Sequence, residues 1–508
     1  MSPIVADRVT AQDRRLRLIV FIAWTLLVLW LVSGHVFWRD EVRAFSLALA
    51  GKNLVEMLRT VHGEGHPAIW YLLLRGAHEI VPVREVLPAV AALVGIATGA
   101  IIAFRAPFRI GVIALILFSY FSAFEYSVIA RNYGIAALVM VAMAALYPRV
   151  KDSLWFGLMV ALLANTNVPA AILAASFMLF RFVELLSEQP KAARPQWLTF
   201  AGNCVLALIG AYLCFRTIYP TFNDGAVSPN LQSLGPGSVV AAILDRELAF
   251  ARMAGFLPPG VQTAILMLSW LAFLKRPAAL ASAIAAFVGL KFFFFFIYPS
   301  SYRHEALYLV FLLSLHWIAA TGVPREPEKT GLTAWVRVAG AWALVEVLVM
   351  QTYLLTIPLR MELAGVPYSR GAEVASLLRQ PELANAIVMA DPDPMVETLA
   401  YYTDNPLWFL RDRKFGNVVR LTEQGRKDLT LDHVLQDAVM LHQKTGRPVV
   451  FLSLLNLDEV RKTRNMMYAN TTTLTPESVR RFKASTRLLA DLRPAYTDEK
   501  YHVYVYPR

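Results

Sequence analysis

Long apolar runs separated by short polar turns organise most of this chain. The first run, Leu18 to Val36, is as long as the roughly 20 residues that cross a bilayer. Further runs follow at His66 to Pro82, Val86 to Phe104 and Ile110 to about Phe124, and the alternation continues to about Thr356. Basic residues sort the turns into two sets. The tail carrying Arg8, Arg14, Arg15 and Arg17, the loop Phe104 to Arg109, and the segments Tyr147 to Ser153, Arg181 to Trp197, Lys275 to Pro277 and Pro324 to Gly331 belong together, on the cytoplasmic side by the positive-inside rule. This assignment requires an odd number of crossings between the first external loop and Phe104. The His66 run is short, opens His-Pro and is interrupted by Arg75, His78 and Glu79, so it is expected to lie as a juxtamembrane helix in the outer interface. The pattern predicts a polytopic α-helical membrane protein of about 11 transmembrane helices, with its N-terminus cytoplasmic.

Near Leu359 the pattern changes. The runs Asn385 to Asp393, Arg447 to Leu455 and Tyr501 to Arg508 are short and β-rich, and polar helical stretches such as TLDHVLQDAVMLHQK separate them. Residues 1–358 therefore read as a transmembrane module and 359–508 as a small α/β domain outside the membrane.

Composition agrees with the membrane reading. At 57% hydrophobic and 17% charged residues, with a mean hydropathy of +0.48, a soluble chain would have too little polar surface to cover itself. The net charge of +12 is accounted for by cytoplasmic loops beside anionic headgroups, so no nucleic-acid partner is expected. Cys204 and Cys214 share one apolar segment, which argues against a structural disulfide. The first run lacks a small-residue cleavage site and is expected to be a retained anchor. There is no glycine-rich nucleotide fingerprint, no metal-spaced Cys/His set and no internal repeat; DPDP at Asp391 to Pro394 reads as a turn after a strand.

The external turns collect the chemistry. Asp40 and Glu41, Glu64 and His66, Glu125 and Arg131, Asn165 and Asn167, and Arg303, His304 and Glu305 all fall on that side. Ionisable groups beside a bilayer are costly and mark sites by default. Each alone has a plain structural reading: Asp40, Arg131 and Arg303 as interfacial anchors, His66 before Pro67 as a helix start, Asn167 as the cap of the helix opening at Val168. Together, an acid pair facing arginines suits a base that activates a hydroxyl while arginine holds a phosphate leaving group.

These residues also carry a resemblance. WRDE, followed by EGHPAIWYLLL, resembles the first external loop of the GT-C superfamily of polyprenol-linked glycosyltransferases. That layout is shared by the family 39 protein O-mannosyltransferases and by the lipid A aminoarabinose transferase. YSVIARNYG resembles the second external loop of that superfamily, and YRHEALYLVFLL its late arginine motif. The resemblance implies an inverting glycosyltransferase that moves a sugar from a polyprenyl-phosphate donor to a glycan, lipid or protein acceptor, at the outer face of the bacterial cytoplasmic membrane. Asp40 or Glu41 would then be the catalytic base. Arg131, Arg303 and His304 would bind the donor phosphate. Glu64, His66, Tyr133, Asn167 and Tyr302 would line the substrate, and Arg246 would do so from a lid spanning Tyr219 to Gly260. The chain reads HPA where the family has HPP, and it lacks a clear second-loop Asp near Arg131. A metal-free mechanism is therefore favoured over a divalent metal, and no cofactor is expected. The rival readings are a lipid or sugar transporter and a non-catalytic subunit of an envelope polysaccharide machine. Against the first, polar groups cluster at one face rather than at the midplane.

Overall fold

The computed structural model describes residues 3–6, 10–188, 191–219, 235, 237, 238, 240, 241, 257–321, 331–420, 425–468 and 470–508. Among the described residues, eight helices are long and apolar enough to cross a membrane: α1 (Ala11–Gly34), α5 (Val86–Arg105), α7 (Tyr133–Val150), α9 (Val168–Ser187), α10 (Arg194–Ile218), α12 (Pro277–Phe296), α13 (Tyr302–Thr321) and α14 (Leu332–Leu363). The expected count of 11 is therefore not met by length. The other three predicted spans are present as shorter pieces. Helix α8 is Leu154–Ala164, about 16 Å long at 1.5 Å per residue. Helix α11 (Pro259–Leu268) passes into a 3₁₀ turn at Ser269–Phe273. Helix α6 (Ile110–Leu117) breaks before a π-helical turn at Phe121–Glu125.

That break is supported by serines. Ser119 Oγ donates to the Ile116 carbonyl at 2.6 Å and accepts the Ser122 amide at 3.3 Å, and Ser127 Oγ donates to the Ser122 carbonyl at 2.6 Å. Buried backbone groups that leave the helical ladder thus find side-chain partners, as an apolar surround demands. The turn delivers Glu125 to one end of the bundle.

Two amphipathic helices, α3 (Leu54–Val61) and α4 (Ile69–Ile80), lie between α1 and α5 in the chain, with α2 (Arg39–Ala48) before them. Helix α4 is the run expected to be juxtamembrane. At 12 residues it is too short to span, and it buries Trp70, Tyr71 and Leu74 while exposing Leu72 and Leu73.

The loops gather at two ends. At one, α1 hands over to α2, and α7 and α13 begin. At the other, Arg17 donates to the carbonyls of Ala103, Ala106 and Phe108, capping α5, while the Phe108 ring meets Trp317 near the end of α13. Here too Arg181, only 1% exposed, pairs with Asp152, Glu184 and Glu188.

The boundary expected at 358 falls inside α14, which runs through Pro358 to Leu363. Beyond it, β1 (Ile387–Asp391), β2 (Leu407–Phe409), β3 (Lys414–Phe415), β5 (Val449–Ser453), β8 (Arg487–Leu492) and β9 (Tyr501–Tyr506) form a sheet in the order β3-β2-β1-β5-β9-β8. Strand β1 runs parallel to β2 and β5, whereas β9 is antiparallel to β5 and β8. A second sheet holds β4 (Asp428–Thr430), β7 (Asn470–Leu474) and β6 (Arg464–Tyr468). The three β-rich runs seen in the sequence are the adjacent strands β1, β5 and β9. Alternate residues of β1 enter different cores. Val388 and Ala390 join α15 (Gly371–Leu378) and α16 (Leu399–Tyr402), while Ile387 and Met389 join α17 (Leu431–Thr445) and α18 (Pro476–Ser485). A parallel strand covered on both faces reads as a continuous apolar run, which is why IVMA shows no alternation. Thr430 caps α17, and Gly446 ends it at φ 70°, a backbone that other residues adopt only at a cost.

Candidate active site

The WRDEV stretch forms the start of α2, and its adjacent carboxylates go separate ways. Glu41, at the third helical position, reaches back to the Trp38 amide at 3.2 Å in the manner of a capping box. It also accepts the Ala130 amide at 2.6 Å and pairs with His35 Nε2 at 2.9 Å, and it is 0% exposed. Successive helical side chains point about 100° apart, so burying Glu41 turns Asp40 outward. The Asp40 side chain is 33% exposed. Its Oδ2 lies 3.6 Å from Arg303 Nη1 and 3.9 Å from Arg131 Nη2, beyond direct hydrogen-bond reach of either.

Both arginines are anchored by other groups. Arg131 Nη1 donates to the Asp40 backbone carbonyl at 2.5 Å, and its Nη2 meets His66 Nε2 at 2.9 Å. Arg303 stacks on the Trp38 ring, 4.8 Å from its centroid, with Arg39 at 5.1 Å from the same ring. The Nε of Arg303 lies 3.3 Å from Glu125 Oε1, and among the described residues its guanidinium donates no hydrogen bond. Two cations thus flank an open carboxylate with donors unspent, an arrangement able to take a phosphate oxygen beside a base.

Electrostatics set the protonation states. Burial pushes the Asp40 carboxyl up, but Arg131, Arg303 and Arg39 together more than offset it, so the group sits below its ordinary value and is ionised at neutral pH. His66 is held down to about 3 by burial and by the Arg131 charge. Its Nε2 faces a guanidinium that can only donate, so the imidazole is neutral and accepts there. Neither group changes charge between pH 5 and 8. His66→Asn is accordingly expected to leave the shape of a pH–rate profile unchanged over that range; loss of an inflection near pH 6.5 in the variant would refute a neutral His66.

Other residues singled out in the sequence are brought near but turned to different tasks. The His304 Nδ1 accepts the Ser301 amide at 2.9 Å and its Nε2 meets the Tyr133 hydroxyl at 2.8 Å, so both ring nitrogens are engaged. His304 is 7% exposed and Tyr133 2%, and in this arrangement neither ring nitrogen of His304 is left over for a phosphate oxygen. Glu64 accepts from Arg43 Nη2 at 2.6 Å. Asn167 caps α9 through the Ala170 amide at 2.9 Å and is buried. The Tyr302 hydroxyl donates to Gln351 and its ring meets Tyr120. Arg246, with most of the expected lid, lies outside the described residues. Among the described residues, no group of three His, Cys, Asp or Glu side chains is placed to hold a metal ion. The DPDP turn is built into its own domain. Asp393 accepts the Leu410 and Arg411 amides, and Asp391 accepts Thr472 Oγ1.

This chain is similar to ArnT of Cupriavidus metallidurans. Two crystal structures of that protein match, one bound to undecaprenyl phosphate and one in the apo state. Both are 14% identical over 96% of this chain and 97% of theirs, with TM-scores of 0.47 and 0.48. No protein-family model and no curated protein matches the chain.

Sequence reasoning gave no role to Trp38, Arg39 or Arg43, although the first two stand in WRDE. Trp38 supplies the face on which Arg303 stacks. Arg39 and Arg43 reach carboxylates far along the chain: Arg39 pairs with Asp498 at 2.7 Å, and Arg43 with Glu397 at 2.5 Å. The only local sign was a pair of arginines four residues apart around the two carboxylates of RDEVR, which by itself reads as a solvated helix start.

Proposed function

We propose that this cleft transfers a sugar from a polyprenyl-phosphate donor to an acceptor hydroxyl, with inversion, at the outer face of a cytoplasmic membrane. The observation that carries the reading is the half-open Asp40 carboxylate held between Arg131 and Arg303 at one end of a bundle of apolar helices. The GT-C resemblance of the WRDE and YRHE motifs supports it. Asp40, rather than the enclosed Glu41, is the base. It takes the acceptor proton as the acceptor oxygen bonds to the anomeric carbon, and the carbon–oxygen bond to phosphate breaks with its electron pair remaining on phosphate. Arg303 and Arg131 neutralise that growing charge. His66 fixes Arg131, and Glu41 fixes the start of α2. Eight candidate spans among the described residues support an integral membrane protein. On our reading the three shorter apolar helices also cross and the basic loops are cytoplasmic, so the tail at Arg17 lies in the cytoplasm and the region after α14 outside it. The test is transfer in proteoliposomes supplied with a polyprenyl-phosphate sugar. Mass spectrometry of copurifying lipid would name the donor, and purified protein that carries and turns over no such lipid would overturn the reading.

A further inference from the structure

The carboxylate proposed as the base sits in the second position of a helix whose first turn is held from outside the membrane module. The Arg39 amide, in the first turn of α2 where the helix supplies no acceptor of its own, donates to Glu499 Oε1 at 2.7 Å. Glu499 is 0% exposed and its other oxygen accepts Ser369 Oγ at 2.5 Å and Thr398 Oγ1 at 2.9 Å, so its orientation is fixed by the C-terminal region. The Arg39 guanidinium closes a fork on Asp498, with Nη1 to Oδ1 at 2.7 Å and Nη2 to Oδ2 at 3.0 Å. One turn on, Arg43 Nη1 donates to Glu397 Oε1 at 2.5 Å, and that oxygen is held in turn by the Val419 amide at 2.6 Å. Just before the helix, the Phe37 amide donates to the Tyr402 hydroxyl at 2.8 Å. Every one of these partners comes from residues beyond α14.

A negative group at a helix N-terminus is favoured by the helix dipole. Forked arginine–carboxylate pairs fix direction as well as distance. The contacts bracket Asp40 on both sides, at residues 37, 39 and 43, while Arg131 holds its carbonyl from the membrane side.

We propose that the C-terminal region is a working part of the transfer site, with Glu499 as a positioning residue. Through the Arg39 amide and guanidinium, it fixes the first turn of α2 so that the Asp40 carboxylate faces Arg131 and Arg303. The proposal rests on the transferase reading for its kinetic consequence, but not for its geometric one.

Both consequences are measurable in the full chain. Glu499→Leu keeps the volume and removes acceptor and charge. Hydrogen exchange should quicken in the amides of residues 37–48. The kcat for transfer should fall about 10–100-fold, the scale set by an ångström of misplacement, while KM for the donor stays unchanged. Glu499→Gln keeps an acceptor for the Arg39 amide and should recover most of both. Arg39→Met attacks the same link from α2 and decides the matter if Glu499→Leu does not fold. Folded Glu499→Leu or Arg39→Met protein with wild-type exchange across residues 37–48 and wild-type kcat would overturn the proposal. Should the wild-type protein transfer no sugar, the function falls, and the exchange measurement still decides whether this link positions α2.

Discussion

Asp40→Asn is expected to lower turnover by about 10²–10⁴-fold, the usual contribution of a positioned general base. Asn matches Asp in size, and the bond from Arg131 Nη1 goes to the backbone carbonyl of residue 40, so the arginine keeps its anchor in the variant. What disappears is one negative charge lying 3.6 and 3.9 Å from two guanidinium groups. Removing it raises the local positive potential, so binding of a polyprenyl phosphate should hold or tighten while the chemistry stops. Single-turnover transfer and direct lipid binding, measured on the same preparation, separate the two effects. Normal turnover would refute Asp40 as the base, and a parallel loss of binding would show that it acts on the donor instead. Glu41→Gln is the matched control. With both oxygens of Glu41 bonded inside the fold, that variant should act through stability and the shape of α2.

Arg303→Ala is expected to weaken lipid-phosphate binding by about 10–150-fold, the equivalent of one charged hydrogen bond at roughly 1.5–3 kcal/mol. The substitution also strips the counter-charge from Glu125 and one of the two cations from the Trp38 ring, leaving Arg39 there. Arg303→Lys distinguishes these roles. Lysine restores a positive charge but supplies neither the planar fork nor the stacking. If phosphate recognition is what Arg303 provides, Lys should recover only part of the affinity; if charge balance is what matters, it should recover most. Unchanged lipid affinity in Arg303→Ala would exclude it from the donor site.

The spans were legible because hydropathy and loop charge act over twenty residues at a time, and their positions follow in the structure. Their lengths were not. The breaks after Leu117 and Leu268 depend on where buried backbone groups find partners, and serine bonds such as Ser127 to Ser122 give no signature in a hydropathy window. The same holds inside the site. Asp40 and Glu41 are equivalent as letters, and only the packing of α2 between α4 and the C-terminal region sends one inward. Asn167 and His304 looked chemical because polar residues at the mouths of spans are costly, yet each bonds an amide three residues away, which is how helices ordinarily begin. Arg39 and Arg43 were passed over because their partners, Glu499 and Glu397, are 460 and 354 residues away.

The neutral imidazole of His66 bears on what happens after the sugar has left. A phosphodiester donor carries one charge, and the lipid monophosphate released from it approaches two near neutral pH. If Arg131 and Arg303 bind the donor phosphate as proposed, they grip the spent carrier harder than the fresh one. A histidine held without a proton cannot add a third cation to that grip, and Asp40, once it has passed on its proton, repels the departing anion. On the proposed reading, product escape limits the cycle, and a rapid first turnover ahead of a slower steady state is the expected kinetic trace; a linear trace from the first turnover would place the slow step in the chemistry instead.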